Sequence, residues 1–190
     1  MSFYNDSENV EKYIEMCKDY EGSNIYQSLK KHLNDGKTIL ELGSGPGFDI
    51  PFLNEHYQVT GSDLSDEFLR RCKNKFPAIS FLKLDAADID VREQFDCIYS
   101  NKVLHHLTQD ELALSLLQQK KALSTNGIIA HSFWIGDESQ EMEGLLFTYY
   151  RKEQLIEIIS EHFEILSTMD YQEFEESDSL FVIAQLKVQG

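Results

Sequence analysis

Apolar and polar positions change rhythm repeatedly along this chain, and each change marks an element. Between residues 8 and 33, Val10, Tyr13, Ile14 and Cys17, then Ile25, Leu29 and Leu33, recur at helical intervals, with Gly22 breaking the series, so two helices are expected before any strand. The pattern then contracts to short apolar runs at 38–42, 59–63, 79–84, 95–100 and 128–134, the mark of strands buried in a parallel sheet. Helical spacing returns between them, at 47–56, 65–75 and 108–123. Glu67 and Arg71 are spaced as an i,i+4 ion pair, and Thr108 and Glu111 as a capping box that should start the third of these helices. Asn126-Gly127 turns into the fifth strand. An irregular acidic insertion at 135–143, a helix at 151–161 and two strands near 163–169 and 179–186 complete the chain. Alternating strands and helices predict an α/β fold, and no repeat, low-complexity tract or linker divides it.

The chemistry clusters where strands end. Thr38-Ile39-Leu40-Glu41-Leu42 runs into Gly43-Ser44-Gly45-Pro46-Gly47. Glycines at a strand-to-helix turn let backbone approach a ligand, and the following helix offers unpaired N–H groups to an anion. The second strand closes on Asp63, about 20 residues after the turn, where a carboxylate can accept both ribose hydroxyls. The third ends in Asp85 and the fourth in Asn101. In an open parallel sheet these carboxyl ends form one rim, with the ligand crevice outside it.

Four segments in order, Glu41–Gly47, Gly61-Ser62-Asp63-Leu64-Ser65, Leu84-Asp85-Ala86-Ala87-Asp88 and Phe95 to Leu107, give the chain a resemblance to the class I S-adenosylmethionine-dependent methyltransferases, in the small-molecule (methyltransferase type 11-like) branch. The likeness covers residues 37–134 most strongly. It implies a Rossmann-like, seven-stranded, mostly parallel sheet with helices on both faces and an antiparallel C-terminal hairpin. It also implies one domain over 1–190: an N-terminal helical lid (1–36), a cofactor-binding core (37–134) and an acceptor-side insertion with closing strands (135–190).

The same resemblance implies S-adenosyl-L-methionine as cofactor, S-adenosyl-L-homocysteine as product, and roles for particular residues. Gly43, Ser44, Gly45 and Gly47 would curl under the methionine moiety, with Glu41 ordering the loop. Asp63 would hold the ribose, Leu64 the adenine face, and Asp85 with Ala86 the adenine amino edge. Ser100 or Asn101 would offer a carbonyl to the methionine ammonium, and Tyr13 would lie near the carboxylate. His105, His106 and His131 are candidates for proton management at the rim, since imidazole titrates near neutrality. Trp134, Tyr149 and Tyr150, with Phe147, fall where related enzymes build the acceptor pocket. No pair of acids near these histidines completes a hard-cation site, so no metal is expected.

Composition narrows the readings. Of 190 residues, 33 are acidic and 17 basic, a formal net charge of −16, which disfavours nucleic-acid and anionic-membrane partners. The excess is concentrated between Asp137 and Asp178, where only Arg151 and Lys152 oppose it; a solvated acidic face accounts for this, and attraction of a cationic substrate or basic protein is the functional option. The start of the chain lacks the basic-then-apolar order of a signal peptide, no apolar run is long enough to span a bilayer, and Cys17, Cys72 and Cys97 form no disulfide or metal framework, so a cytoplasmic protein is expected. Methyl transfer to a small-molecule acceptor competes with a non-catalytic S-adenosylmethionine-binding or protein-interaction module, and with an NAD-dependent oxidoreductase. The last is disfavoured because Phe48 stands where Gly-x-Gly-x-x-Gly needs its third glycine. The acceptor, its methylated atom and the oligomeric state are not legible.

Overall fold

The computed structural model describes residues 3–187; residues 1, 2 and 188–190 of the expected domain lie outside it. After a 3-10 turn at Phe3–Asn5, helix α1 (Ser7–Met16) is started by the Asp6 carboxylate, which accepts from the backbone N–H groups of Glu8 and Asn9, the expected work of an N-cap acid. Helix α2 (Ser23–His32) follows Gly22. Strand β1 (Thr38–Leu42), α3 (Ile50–His56), β2 (Gln58–Asp63), α4 (Asp66–Lys75) and β3 (Ser80–Lys83) form the first half. Strand β4 (Phe95–Asn101), α5 (Gln109–Ala122), β5 (Leu123–Trp134), the short β6 (Gln140–Met142) and β7 (Leu145–Phe147), α6 (Lys152–Ser160), β8 (Phe163–Tyr171) and β9 (Ser179–Leu186) form the second.

Seven strands share one sheet in the order β3-β2-β1-β4-β5-β9-β8. The first five are parallel, and β9 runs antiparallel between β5 and β8. The chain leaves β1 toward β2 and β3, then returns to lay β4 on its other side. The crevice at this reversal opens beyond the carboxyl ends of β1 and β4, where such sheets bind ligands.

Strand periodicity decides which side chains reach which layer. Leu40, Leu42, Ile98, Ile129 and Phe133 pack beneath α5 and α6, while Ile39, Cys97, Tyr99, Ile128 and Phe181 pack against Ile25, Leu29 and Leu33 of the α2 segment. Helix α2 therefore packs into the core, while its first turn, at Asn24 and Ile25, joins the preceding segment in lining a cavity. The capping box at Thr108 and Glu111 is present with both reciprocal bonds, and Arg71 Nε lies 2.7 Å from Glu67 Oε1.

Three local expectations change. Helix α3 begins at Ile50 rather than Gly47, because Gly43, Gly45 and Gly47 all adopt positive φ and keep the segment a loop. Strand β5 starts at Leu123, five residues before the expected position, with its register against β4 shifting where Asn126 takes φ 62°. The acidic insertion contains a β6–β7 hairpin turned at Glu143-Gly144, with φ 53° and 76°. Positive φ at both central positions is the primed-turn geometry that matches strand twist.

Candidate active site

The loop after β1 is held by polar side chains from beneath. Glu41 is buried, and its carboxylate accepts from the Ser44 hydroxyl. Ser44 in turn exchanges two bonds with Ser62 on β2: its N–H donates to the Ser62 carbonyl at 2.7 Å, and its Oγ accepts from the Ser62 N–H at 3.1 Å. Asp63 Oδ2 accepts from the Gly45 N–H at 2.8 Å, and Oδ1 from the Ser65 N–H at 2.8 Å. Two of roughly four acceptor positions on this carboxylate remain for a ligand. At Gly43 (φ 66°) an added Cβ would come within 2.6 Å of Val103 Cγ2; at Gly45 (φ 50°) it would meet nothing within 4 Å. The first glycine permits packing, and the second leaves space.

That space is a junction. Two cavities, of about 330 and 340 Å3, meet over the loop, and Tyr13, Gly43, Gly45 and Lys102 line both. One extends past Asp63, Leu64, Asp85, Ala86, Phe68 and His106 beneath Tyr4. The other extends past Ser44, Asp49, Asn101, Tyr20, Tyr171 and Glu173. The N-terminal turn roofs the first of these: the Ser65 hydroxyl donates to the Tyr4 carbonyl at 2.5 Å, and the Tyr4 ring contacts Tyr13, Phe68 and His106.

The second cavity contains residues that sequence patterns did not single out. Asp49 accepts from the Tyr26 hydroxyl at 2.5 Å and from Asn101 Nδ2 at 3.1 Å; Asn101 Nδ2 also donates to the Tyr20 hydroxyl at 2.6 Å, and its Oδ1 accepts from Ser132 Oγ. Burial raises the Asp49 carboxyl above its usual range, and burial with the neighbouring Asp49 raises Glu41 to about 8. Two buried carboxylates so placed favour a cationic neighbour. Lys102, at φ 54°, directs Nζ to Ser179 Oγ at 2.6 Å and the Phe133 carbonyl at 3.2 Å, over the Trp134 ring at 3.3 Å from its centroid. Burial lowers this ammonium to about 8, against the opposing pull of Glu173. The available signals were an acid two residues after the glycine turn and a lysine just past the fourth strand.

Among the named candidates, Tyr13, Gly43, Ser44, Gly45, Asp63, Leu64, Asp85, Ala86, Asn101 and His106 line the cavities. Asp85 also accepts from the Ala87 N–H at 2.8 Å, so it shapes its own turn. Of the Ser100/Asn101 pair, Asn101 faces the cavity, whereas Ser100 is buried with its hydroxyl on His131 Nδ1 at 2.8 Å. His131 must be withdrawn from proton management. It shares the inner face of β5 with Ile129 and Phe133, is fully buried, and is bonded on its other side to Gln119 Oε1 at 2.7 Å. His105 is also enclosed, stacked on Phe147. His106 alone of the three reaches a cavity; its Nδ1–H donates to the Leu146 carbonyl at 2.7 Å, leaving Nε2 as the acceptor. Tyr150 is a core residue rather than a pocket wall, fully buried against Phe133. Trp134 and Tyr149 line neither cavity: Trp134 packs on Lys102 and Phe174, and the Tyr149 hydroxyl accepts from Gln140.

Known proteins share this arrangement of strands and loops. Residues 39–127 match the family model described as a methyltransferase domain. Over this stretch the chain resembles a methyltransferase domain. A trans-aconitate 2-methyltransferase from Agrobacterium fabrum is 30% identical over 93 residues, covering 47% of this chain and 36% of that protein. A malonyl-[acyl-carrier protein] O-methyltransferase from Legionella pneumophila is 24% identical over 149 residues, covering 75% and 51%. The chain thus spans roughly a third to a half of the length of these two relatives. Among solved structures, the Burkholderia thailandensis 1,6-didemethyltoxoflavin-N1-methyltransferase, crystallised with 1,6-didemethyltoxoflavin and S-adenosylhomocysteine, superposes with a TM-score of 0.80 at 19% identity over 95% of this chain and 85% of that one. This likeness shows that the two chains share a fold.

Proposed function

We propose that the protein transfers a methyl group from S-adenosyl-L-methionine to a small organic acceptor. The observation that carries the reading is the pair of cavities meeting over Gly45, with the Asp63 carboxylate beside one and the Asp49–Asn101 pair beside the other. An elongated ligand with a ribose diol at one end and a cationic amino acid at the other matches this order of groups. Asp63 would accept from the ribose hydroxyls, Leu64, Asp85 and Ala86 would border the adenine, and Gly43, Ser44, Gly45, Asp49 and Asn101 would enclose the methionine moiety, with Tyr13 above it. Glu41, Gly47 and Ser100 act from below by holding the loop and β4. The Burkholderia relative, crystallised with the demethylated form of this cofactor, supports the assignment.

When bound, the cofactor supplies a methyl on a sulfonium, already activated for in-line displacement. The protein's part is to place the acceptor atom about 3 to 3.5 Å from it and to exclude water. Gly43 and Gly45 keep the junction free of side chains, Lys102 borders it, and the roof of Tyr4 and Tyr13 closes the adjoining space. His106, neutral because burial lowers its pKa, offers Nε2 as a hydrogen-bond acceptor. No metal takes part in this reading, so EDTA-treated protein is expected to keep full turnover. Three unpaired cysteines fit a reducing cytoplasm. No helix among the described residues is long and apolar enough to cross a membrane.

The test is thermal unfolding with S-adenosylmethionine, S-adenosylhomocysteine or NAD. At 100 times its dissociation constant a ligand adds about 2.7 kcal/mol, which raises the midpoint of a chain this size by roughly 5 to 10 °C. The adenosyl ligands are expected to do so, NAD is not, and Asp63→Ala should abolish the shift. A shift with NAD alone would overturn the proposal.

A further inference from the structure

In this reading the methionine moiety fills the cavity beside Asp49 and Asn101 only at its Gly45 end; the remainder, which would receive the acceptor, is acidic, and its one cation among the described residues is already engaged. Asp19, Glu21, Asp49 and Glu173 line it, with Lys102 the only Lys, Arg or His side chain among the described residues that does. Lys102 Nζ is saturated by Ser179 Oγ, the Phe133 carbonyl and the Trp134 face, so it offers no vacant donor to an incoming anion. Asp49 is already held by Tyr26 and Asn101 on the methionine side. Glu173 differs from all of these. Its Oε2 is buried and forms an ion pair with Lys102 Nζ at 3.6 Å, but among the described residues no donor stands within hydrogen-bond distance of it. A buried carboxylate oxygen without a donor is costly, and an N–H is the group that would satisfy it.

Glu173 is also held in position. The Asp178 carboxylate accepts from the backbone N–H groups of Glu173, Phe174 and Glu175 at 2.9, 2.8 and 2.9 Å, which fixes the 173–178 turn. The rings of Tyr20, Tyr171 and Phe174 line the same cavity, and aromatic faces attract organic cations by about 0.5 to 2 kcal/mol each. Asp19 and Glu21, exposed at the helix α1–α2 connection, add negative potential.

Resting on the proposed methyl transfer, we propose that the acceptor is a small primary or secondary amine, bound through its N–H groups to Glu173. The two relatives described above are named for a carboxylic acid and for a malonyl group; an acceptor of that kind would meet four carboxylates here and, among the described residues, no free cation. In the reaction the unprotonated amine lone pair forms the new N–C bond as the C–S bond breaks, and that electron pair remains on sulfur as the thioether. The nitrogen then carries one proton in excess, which passes to the Glu173 carboxylate and on to solvent.

The experiment is a panel of small amines, each with the alcohol and the carboxylic acid of the same carbon skeleton. S-adenosylhomocysteine formation is followed for each, and so is the thermal midpoint of the protein saturated with S-adenosylhomocysteine. Amines are expected to turn over and to stabilise the complex, and their acids to do neither. Glu173→Gln should raise KM for the amine about tenfold or more while kcat falls far less, the loss of a charge-assisted contact. It should leave the midpoint shift with S-adenosylmethionine intact, which also shows that the variant is folded. Turnover or stabilisation by acids or alcohols alone, no response to any amine, or an unchanged KM in Glu173→Gln would overturn the amine assignment and leave methyl transfer standing. Absence of the S-adenosylmethionine shift in the wild-type chain would remove the reading beneath it.

Discussion

His131 illustrates how one side chain can match a chemical role and be assigned another by its position on a strand. Its Nε2–H donates to Gln119 Oε1, and its Nδ1 accepts from the Ser100 hydroxyl, an arrangement that uses both nitrogens of a neutral ring. Burial lowers its pKa from 6.5 to about 3, and burial lowers His105 as well. In the unfolded chain these rings take up protons below pH 6.5, whereas in the folded chain they do not. Stability is therefore fully present above pH 6.5 and is lost as pH falls toward the folded value, at up to about 1.4 kcal/mol per pH unit for each ring. Urea unfolding between pH 7 and 5 should show this slope, and His131→Gln should remove one ring's share of it. Glu41 carries the opposite sign: raised to about 8 by burial, it binds a proton in the folded state that the unfolded state releases above 4.5. Its contribution is present below pH 4.5 and lost as pH rises toward 8. A cationic ligand in the neighbouring cavity favours the ionised carboxylate, so S-adenosylmethionine should bind more tightly as pH rises from 6 to 8. Calorimetry in two buffers of different ionisation enthalpy would report the released proton.

At the scale of elements, the loop between β1 and α3 separates packing from binding. Gly43→Ala places a Cβ 2.6 Å from Val103 at φ 66°, and strain with overpacking should cost about 2 to 4 kcal/mol of stability. Gly45→Ala meets no neighbour, so it should cost about 1 to 2 kcal/mol from the left-handed backbone alone. Its methyl nevertheless enters the junction of the two cavities and should abolish the S-adenosylmethionine shift. Paired denaturation and ligand-shift measurements distinguish the two glycines; equal effects on both properties would refute this division. At the start of α5, Thr108→Ala removes an intact capping box and should cost about 1 kcal/mol without touching ligand binding.

Across the whole molecule, a formal charge of −16 makes compaction work against self-repulsion. Raising ionic strength from about 0.01 to 0.15 M shortens the screening length from roughly 30 to 8 Å, and the unfolding midpoint should rise. A fall would show that surface pairs such as Arg71 with Glu67 and Glu11 outweigh the repulsion. The same charge surrounds the acceptor cavity, where Asp19, Glu21 and Glu173 add to it, so global and local electrostatics point to the same class of ligand.

Local interactions were legible in the sequence because they depend on neighbours a few residues apart. Glycines 43, 45 and 47, the acid closing β2, the capping box and the succession of strands and helices along the chain were readable in this way, and with them half of the site; the seven-stranded sheet came from the family resemblance. The tertiary structure decided what distant segments do to one another. Whether His131 faced a cavity or α5 depended on the one-residue alternation of β5; whether Tyr150 lined a pocket or filled the core depended on where the chain returned after β7. Asp49 and Glu173 carry no motif, and Lys102 lies within the fourth matching segment without a role assigned to it there. Their character comes from desolvation and from partners 52 to 77 residues away in sequence, Asn101 for Asp49 and Ser179 for Lys102. The sequence by itself determined the fold class and the place of the nucleotide-like site, because short-range patterning specifies elements and their turns. Which carboxylates are paired and which oxygen awaits a donor was decided only in the folded molecule, because burial and long-range contact do not exist until the chain has closed on itself.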